Sequence, residues 1–322
     1  MHKRADSPRL SIVVLSHNRD DVLQSHLEYY LDRADDYGAE VIVVDNASTD
    51  TTPRLLSEVE SKYPAARIIR SRRNLGVAGG RNLGISSSSA PFVLSLDDDA
   101  LLDSETWDRA IERFVAEPTL GILAPRVVHG VSGTEQGYRG ITGDEIANFH
   151  GSGHFLRRDA VILAGMYDEY CTFGGEELDL SMRLLSLGYK TVFDEEIIVR
   201  HFSLERVGEV GLGRQTQWIR SYAYVLAKNL SCLDAITIAN RRLLSHVYST
   251  QGLSRLRVLG PFVSAHISGL ADGRRAWRPI SRDARLLYRS HTLEPEYGNI
   301  PLGKKVLAVL KRRISTGKWH SR

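Results

Sequence analysis

The sequence predicts an α/β protein with a largely parallel sheet, and three observations lead there. Short apolar, β-branched runs alternate with segments of helical spacing through the first hundred residues. Each run ends in a polar loop, the place where open α/β sheets bind their ligands. One of those loops holds three consecutive carboxylates, Asp97-Asp98-Asp99.

Leu10 to Leu15 is the first strand, and Asp20 to Leu31 follows as a helix through Val22, Leu23, Leu27 and Leu31. Glu40 to Val44 is the second strand, and a helix from Thr52 to Ser61 carries Pro53 in its first turn, where the missing N–H costs nothing. Arg67 to Arg70 is a short strand, Gly79 to Ser86 a helix, and Pro91 to Leu96 the strand that runs into the triplet. Beyond it the pattern gives a helix from Ser104, as N-cap, to Ala116 and a strand from Gly121 to Val128, then a Gly-rich loop or hairpin over 129–150. His154 to Leu156 is a strand, Arg158 to Leu163 starts a helix, and Glu177 to Leu187 is a helix stopped by Gly188. Lys190 to Phe193 and Ile197 to His201 are two short strands, and Thr216 to Ala227 is a helix. The remainder is helical, ending in a basic amphipathic segment from Gly303 to Trp319.

Of the 322 residues, 42% are hydrophobic and 25% charged, as in an ordinary globular protein. Two cysteines exclude a disulfide framework, and the chain is expected to be cytoplasmic. No apolar run reaches the length of about eighteen residues that a transmembrane helix needs. The net charge of +3 hides an asymmetry: residues 1–225 hold 24 Lys and Arg against 34 Asp and Glu, whereas 226–322 hold 18 against 5. Two units are therefore expected, 1–225 and a helical, basic C-terminal extension over 226–322.

Adjacent carboxylates repel unless a cation or donors compensate, and hard oxygen ligands suit Mg²⁺ or Mn²⁺. An acidic triplet alone is equally a solvated turn, so its company decides. Ser16, Asn18 and Arg19 follow the first strand, and Asp45 follows the second, where a carboxylate can accept from a base or ribose; alone, Asp45 to Ser48 is a capping turn. Gly79-Gly80-Arg81 permits close backbone approach and puts Arg81 where a phosphate could sit. A second acidic cluster, Glu176-Glu177-Leu178-Asp179, opens a helix, where the helix dipole accounts for two carboxylates but not for the preceding Gly174-Gly175. A carboxylate beside such a turn can reach a substrate hydroxyl as general base. His201 ends a strand.

These blocks, in their order and spacing from Leu10 to Gly188, resemble family 2 glycosyltransferases, inverting enzymes of the GT-A fold. The resemblance covers residues 8–205 and implies a nucleotide-binding mixed sheet flanked by helices. It implies that Asp97 and Asp99 form the DxD pair, with Asp99, Asp97 and His201 holding Mn²⁺ or Mg²⁺. Leu15, Ser16, Asn18, Asp45, Arg81, Asp97 and Asp98 would contact the nucleotide, and Gly174 and Gly175 would face the acceptor. Glu177 would be the general base, with Glu176 or Asp179 as alternatives, because the family usually has Glu-Asp where this chain has Glu176-Glu177. The expected function is transfer of a sugar from a nucleotide-diphosphate donor to an acceptor hydroxyl in cell-wall, polysaccharide or glycoconjugate assembly. The alternatives are tailoring of a soluble small molecule and a catalytically silent nucleotide-sugar-binding protein. The basic tail suggests peripheral attachment to the inner face of a membrane and a lipid-linked, saccharide or small-molecule acceptor; nucleic acid is not an expected partner, since the tail lacks interleaved aromatics.

Overall fold

The computed structural model describes residues 7–291 except positions 35, 37, 104–105, 139, 204–210 and 250–254. The first half contains β1 (Leu10–Ser16), α1 (Asp20–Ala34), β2 (Ala39–Asp45), α2 (Thr52–Lys62), β3 (Arg67–Arg70), α3 (Gly76–Ser87) and β4 (Phe92–Asp97). Then follow β5 (Ala100–Leu102), α4 (Trp107–Ala116), β6 (Leu120–His129), β7 (Glu135–Gln136), β8 (Gly153–Arg157), α5 (Arg158–Leu163), α6 (Glu176–Ser186) and β9 (Lys190–His201). The C-terminal part is helical: α7 (Leu212–Asn229), α8 (Cys232–Ser249), α9 (Arg255–Arg275) and α10 (Arg282–His291).

One mixed sheet runs in the order β3-β2-β1-β4-β8-β6-β9-β5, with β7 on β6. Strand residues alternate between its two faces. Leu10, Ile12 and Val14 of β1 pack with α1, α2 and α4, while Val13 packs on the other face with α3, α5 and α6. β1, β2, β3 and β4 are parallel, so their C-termini share one edge; in register, Ser16 lies opposite Asp45 and Leu15 opposite Asp97. β8 runs antiparallel to β4 and starts at that same edge, Gly153 facing Leu96.

Two features were not expected from the pattern. β5 emerges from the acidic triplet and pairs antiparallel with the end of β9, Ala100 opposite His201, which carries the histidine to the carboxylates. The two short strands at Lys190 and Ile197 are one strand: the register against β6 jumps from Pro125–Asp194 to Arg126–Ile198, leaving 195–197 as a bulge. The buried Asp194 there accepts from Arg109 Nε at 3.1 Å and Arg113 Nη1 at 2.9 Å. Ser104, the expected N-cap of α4, and the segment Gly303 to Trp319 lie outside the described residues.

The expected junction between residues 225 and 226 falls inside α7, which is unbroken to Asn229. Tyr222, Val225 and Leu226 of α7 share a core with Leu178 and Met182 of α6 and with residues of α8 and α10, so the helical layer is built onto α6. No helix among the described residues is long and apolar enough to cross a membrane.

One cation joins this layer to the sheet domain. Lys228 Nζ donates to Asp168 Oδ2 at 2.6 Å and to Asp179 Oδ1 at 2.8 Å, and Asn229 Nδ2 donates to the same Asp179 oxygen at 2.8 Å. Burial alone would raise the Asp168 carboxyl, but Lys228 more than offsets this and holds it below its usual value of 3.8. A depressed carboxylate stabilises the fold above the unfolded value, and that contribution is lost as pH falls through the folded one. Lys228→Met removes the cation from Asp168 and leaves Asp179 with Arg183 as its one remaining cation among the described residues, and is expected to cost about 3–5 kcal/mol in urea unfolding. The same variant flattens the loss of stability below pH 3.8 that Asp168 contributes in the wild type, which pH-dependent melting measures.

Candidate functional site

All the expected site residues except Asp179 lie at the C-terminal edge of the parallel strands or in the turns that border it. Two turns of backbone shape the entry. Asn18, at a positive φ of 54°, accepts the Thr49 amide on its side chain and donates its own amide to Ser48 Oγ. Asp45 is buried and accepts the Ser48 amide at 2.8 Å, so it closes its own turn. Ser16 is buried between them, and Leu15 packs against the Cα of Gly80.

The centre of the site is Arg81. Rather than facing solvent, as a phosphate ligand would, its side chain is only 2% exposed. Nη2 donates to Asp97 Oδ1 at 2.9 Å and to the Gly151 carbonyl at 2.7 Å, and Nη1 lies 3.4 Å from both Glu176 Oε1 and Glu177 Oε1. One guanidinium therefore ties the end of β4, the turn before β8 and the first turn of α6. α6 starts there because Gly175 takes a left-handed conformation, φ 88°, that a side chain would strain, and its carbonyl receives the Asp179 amide.

The members of the acidic cluster have different surroundings. Glu176 is almost fully buried, and its Oε2 has no hydrogen-bond partner among the described residues. Burial, with the Glu177 charge added, pushes Glu176 well above the usual carboxylate range. Glu177 keeps more exposure, 13% of its side chain. Asp179, an alternative base on sequence grounds, is placed elsewhere: it is wholly buried and accepts from Arg183, Lys228 and Asn229 on the α7 side. Its oxygens brace the helix and are not presented to a substrate.

The triplet is divided in the same way. Asp97 belongs to Arg81. Asp98 is buried, 3.4 Å from Arg19 Nε, and its backbone carbonyl meets His26 Nδ1 at 3.0 Å. Burial, with the neighbouring Asp99 and Asp97 charges, raises Asp98 to about 7. Asp99 pairs with Arg19 Nη2 and lies 3.2 Å from His201 Nε2. Burial opposes ionisation of Asp99, but His201 prevails and holds it low, while Asp99 in turn raises His201 against its own burial.

Asp97, Asp99 and His201 each offer a ligand atom within 4.8 Å of the others. Two carboxylates and an imidazole suit Mn²⁺ or Mg²⁺. His201 Nδ1 donates to Gln136 Oε1 at 2.8 Å, which turns Nε2 toward Asp99 as a ligand would need. The residues present therefore fit a divalent ion.

Several contributors carried no signal in the sequence. Gln136 sits in the loop over 129–150 and is found only through β7. Gly151 supplies a carbonyl and a close approach: a Cβ there would lie 2.2 Å from Glu177 Oε1. Trp218 of α7 stands against Gly174, where a Cβ would come within 2.3 Å of its ring, and it packs on Tyr222 with the rings tilted by 35° and 4.1 Å between centroids. It thus adds an aromatic wall beside the Gly174-Gly175 turn.

A helix-flanked mixed sheet with paired carboxylates at the ends of its parallel strands is an α/β architecture whose ligand site lies at that edge. The family model described as Glycosyl transferase family 2 matches residues 11–173, half of the chain, and the chain belongs to that family. Beta-monoglucosyldiacylglycerol synthase of Synechocystis is 27% identical over 203 residues, 55% of this chain and 40% of that protein. The chain thus spans well under two thirds of this relative. Among solved structures, GalNAc-T7 with UDP, GalNAc and Mn²⁺ superposes with a TM-score of 0.61 at 16% identity, over 81% of this chain and 55% of the other. The mannosyltransferase PcManGT of Pyrobaculum calidifontis, in complex with GDP-Man and Mn²⁺, gives 0.55 at 17%, over 88% and 79%. The fold is GT-A.

Gly151→Ala is expected to displace the Glu177 carboxylate, the flexible partner in that contact, and to remove most transfer activity while thermal unfolding changes little. Arg19 pairs with the Asp99 carboxylate that a divalent ion would need, so Arg19→Gln should tighten Mn²⁺ binding to the nucleotide-free protein by at least roughly tenfold in calorimetry. Unchanged affinity would show that the ion pair does not compete.

Proposed function

We propose that this chain is an inverting, divalent-metal-dependent glycosyltransferase that moves a sugar from a nucleoside-diphosphate donor to an acceptor hydroxyl in polysaccharide, cell-wall or glycolipid assembly. The observation that carries the proposal is the gathering of Asp97, Glu176 and Glu177 on the buried Arg81, beside the Asp97, Asp99 and His201 set. Such a site separates two tasks: carboxylates toward the sheet for the leaving diphosphate, and a carboxylate on α6 for the acceptor.

A divalent ion held by Asp97, Asp99 and His201 would neutralise charge developing on the leaving diphosphate. Glu177 takes the acceptor proton as the hydroxyl oxygen attacks the anomeric carbon, and the electron pair of the broken C–O bond departs on the diphosphate. Attack from the face opposite the leaving group inverts the configuration, as in inverting glycosidases. Arg81 fixes the Glu177 carboxylate relative to Asp97, and Glu176, whose ionisation burial opposes, is held by the same guanidinium. Asp45, Ser16, Asn18 and Leu15 border the donor base, and Gly174, Gly175 and Trp218 border the acceptor. A lipid-linked acceptor agrees with the glucosyldiacylglycerol in the name of the Synechocystis relative.

Nucleoside-diphosphate release from a panel of nucleotide sugars, with Mn²⁺ and with or without candidate acceptors, tests the reading. Glu177→Gln is expected to lower transfer by about 10³-fold or more while donor binding, measured by thermal shift, persists. Asp99→Ala is expected to abolish the metal dependence of donor binding. Normal turnover in Glu177→Gln would overturn the base assignment.

A further inference from the structure

The outer side of the helical layer is apolar where a protein surface is usually charged. On α8, Leu233, 80% exposed, and Leu244, 63% exposed, lie on one helical line with Asn240, and Ile236 stands beside it. On α9, Leu259, Val263 and Ile267 follow one another at intervals of four residues, all exposed, and Arg274 continues the same line two turns on. Asn240 Oδ1 accepts from His266 Nε2 at 2.8 Å, which sets the two lines side by side. They form one aliphatic ridge.

The charge around the ridge has one sign. Residues 226–291 hold eleven Lys and Arg against three Asp. Of those acids, Asp272 is bound to Tyr170, Arg220 and Arg275, and Ser231 donates to Asp234. At the end of α9, Arg274 lies over the ring of Trp277, 4.5 Å from its centroid, and the indole N–H donates to the Leu230 carbonyl at 3.1 Å, so a half-exposed ring is pinned next to exposed Arg275 and Arg278.

We infer that the α8–α9 ridge docks on an anionic lipid surface, the aliphatic side chains entering the headgroup boundary and Arg274, Arg275 and Arg278 contacting phosphates. An exposed apolar stripe flanked by arginines and an interfacial tryptophan is what such a surface recognises. A second copy of this chain would meet the same patch with the same charge, which disfavours self-association through it. The ridge borders the site's own helix: the buried Val258 and Phe262 of α9 pack with Ile219 and Trp218 of α7, and Trp218 stands beside the Gly174-Gly175 turn. The inference concerns the surface and holds or fails independently of the transfer chemistry.

The test is co-sedimentation of the full-length protein with vesicles of phosphatidylcholine alone or rich in phosphatidylglycerol. Binding is expected only to the anionic vesicles and should weaken with salt. Arg274→Glu should lower the partition coefficient by about fivefold or more. Val263→Glu combined with Ile267→Glu, both at exposed positions, should abolish binding with circular dichroism and donor-induced thermal shift unchanged; Val263→Ser with Ile267→Ser should give the same direction without adding charge. Absence of vesicle binding overturns the inference. So does full binding by the Val263 and Ile267 variants together with loss on reversing Lys304, Lys305 and Lys311, which assigns the contact to the C-terminal segment. Vesicle-independent dimerisation in light scattering, broken by the same ridge variants, also overturns it in favour of a second copy.

Discussion

The site depends on a single buried cation. Arg81 sits where Asp97, Glu176, Glu177 and the Gly151 carbonyl converge, and those groups would otherwise place negative potential on negative potential out of water. The guanidinium is suited to this because it is planar, carries five donors and stays charged when buried. It also determines geometry. The end of β4, the turn before β8 and the start of α6 are far apart in the chain, and each gives Arg81 a partner; moving any one alters the others.

A second division of labour follows within the acidic triplet. Consecutive residues of a tight turn point in different directions, and here each aspartate meets its own surroundings: Asp97 meets Arg81, Asp98 a buried niche under Arg19, and Asp99 His201. The run of three is thus not a threefold ligand. Asp98, raised by burial to about 7, is held apart from Asp97 and Asp99, the carboxylates that the ligand-like cluster contains. The Arg19 guanidinium and the His201 imidazole compensate the charge at Asp99 in the protein alone.

The alternation of strands and helices through Leu96 was legible because both periods are strong there: the buried parallel strands are continuous apolar runs, and α1 and α2 repeat their apolar positions at helical intervals. The acidic triplet drew notice because adjacent carboxylates repel and the Gly174-Gly175 turn because the helix dipole leaves it unexplained, whereas His201, alone an ordinary strand end, entered the site only through its company and the family resemblance. What was not legible came from contacts between distant segments. β5 is three residues long and exists through pairing with β9. Arg81 looked like a phosphate ligand because a sequence does not show that three carboxylates surround it. Asp179 looked like a member of the same acidic group, although its position two residues past Glu177 turns it to the other side of α6, toward Lys228. The change in charge at residue 226 was real, yet it marked a change of surface and not of structural unit, since α7 runs through it.

That continuity limits how the chain can be recombined. α7 lends Trp218 and Tyr222 to the wall beside the Gly174-Gly175 turn, Lys228 and Asn229 to the underside of α6, and its outer surface to α9, all within one helix. A chimera joined at the compositional boundary would splice a foreign helix half onto a native one and separate the aromatic wall from its brace. A graft that respects the architecture has to exchange everything from Leu212 onward together with the matching face of α6. In a lineage that diversifies by swapping C-terminal regions, the Trp218 wall, the Lys228 brace and the outer face of α8 and α9 would therefore be inherited as one module.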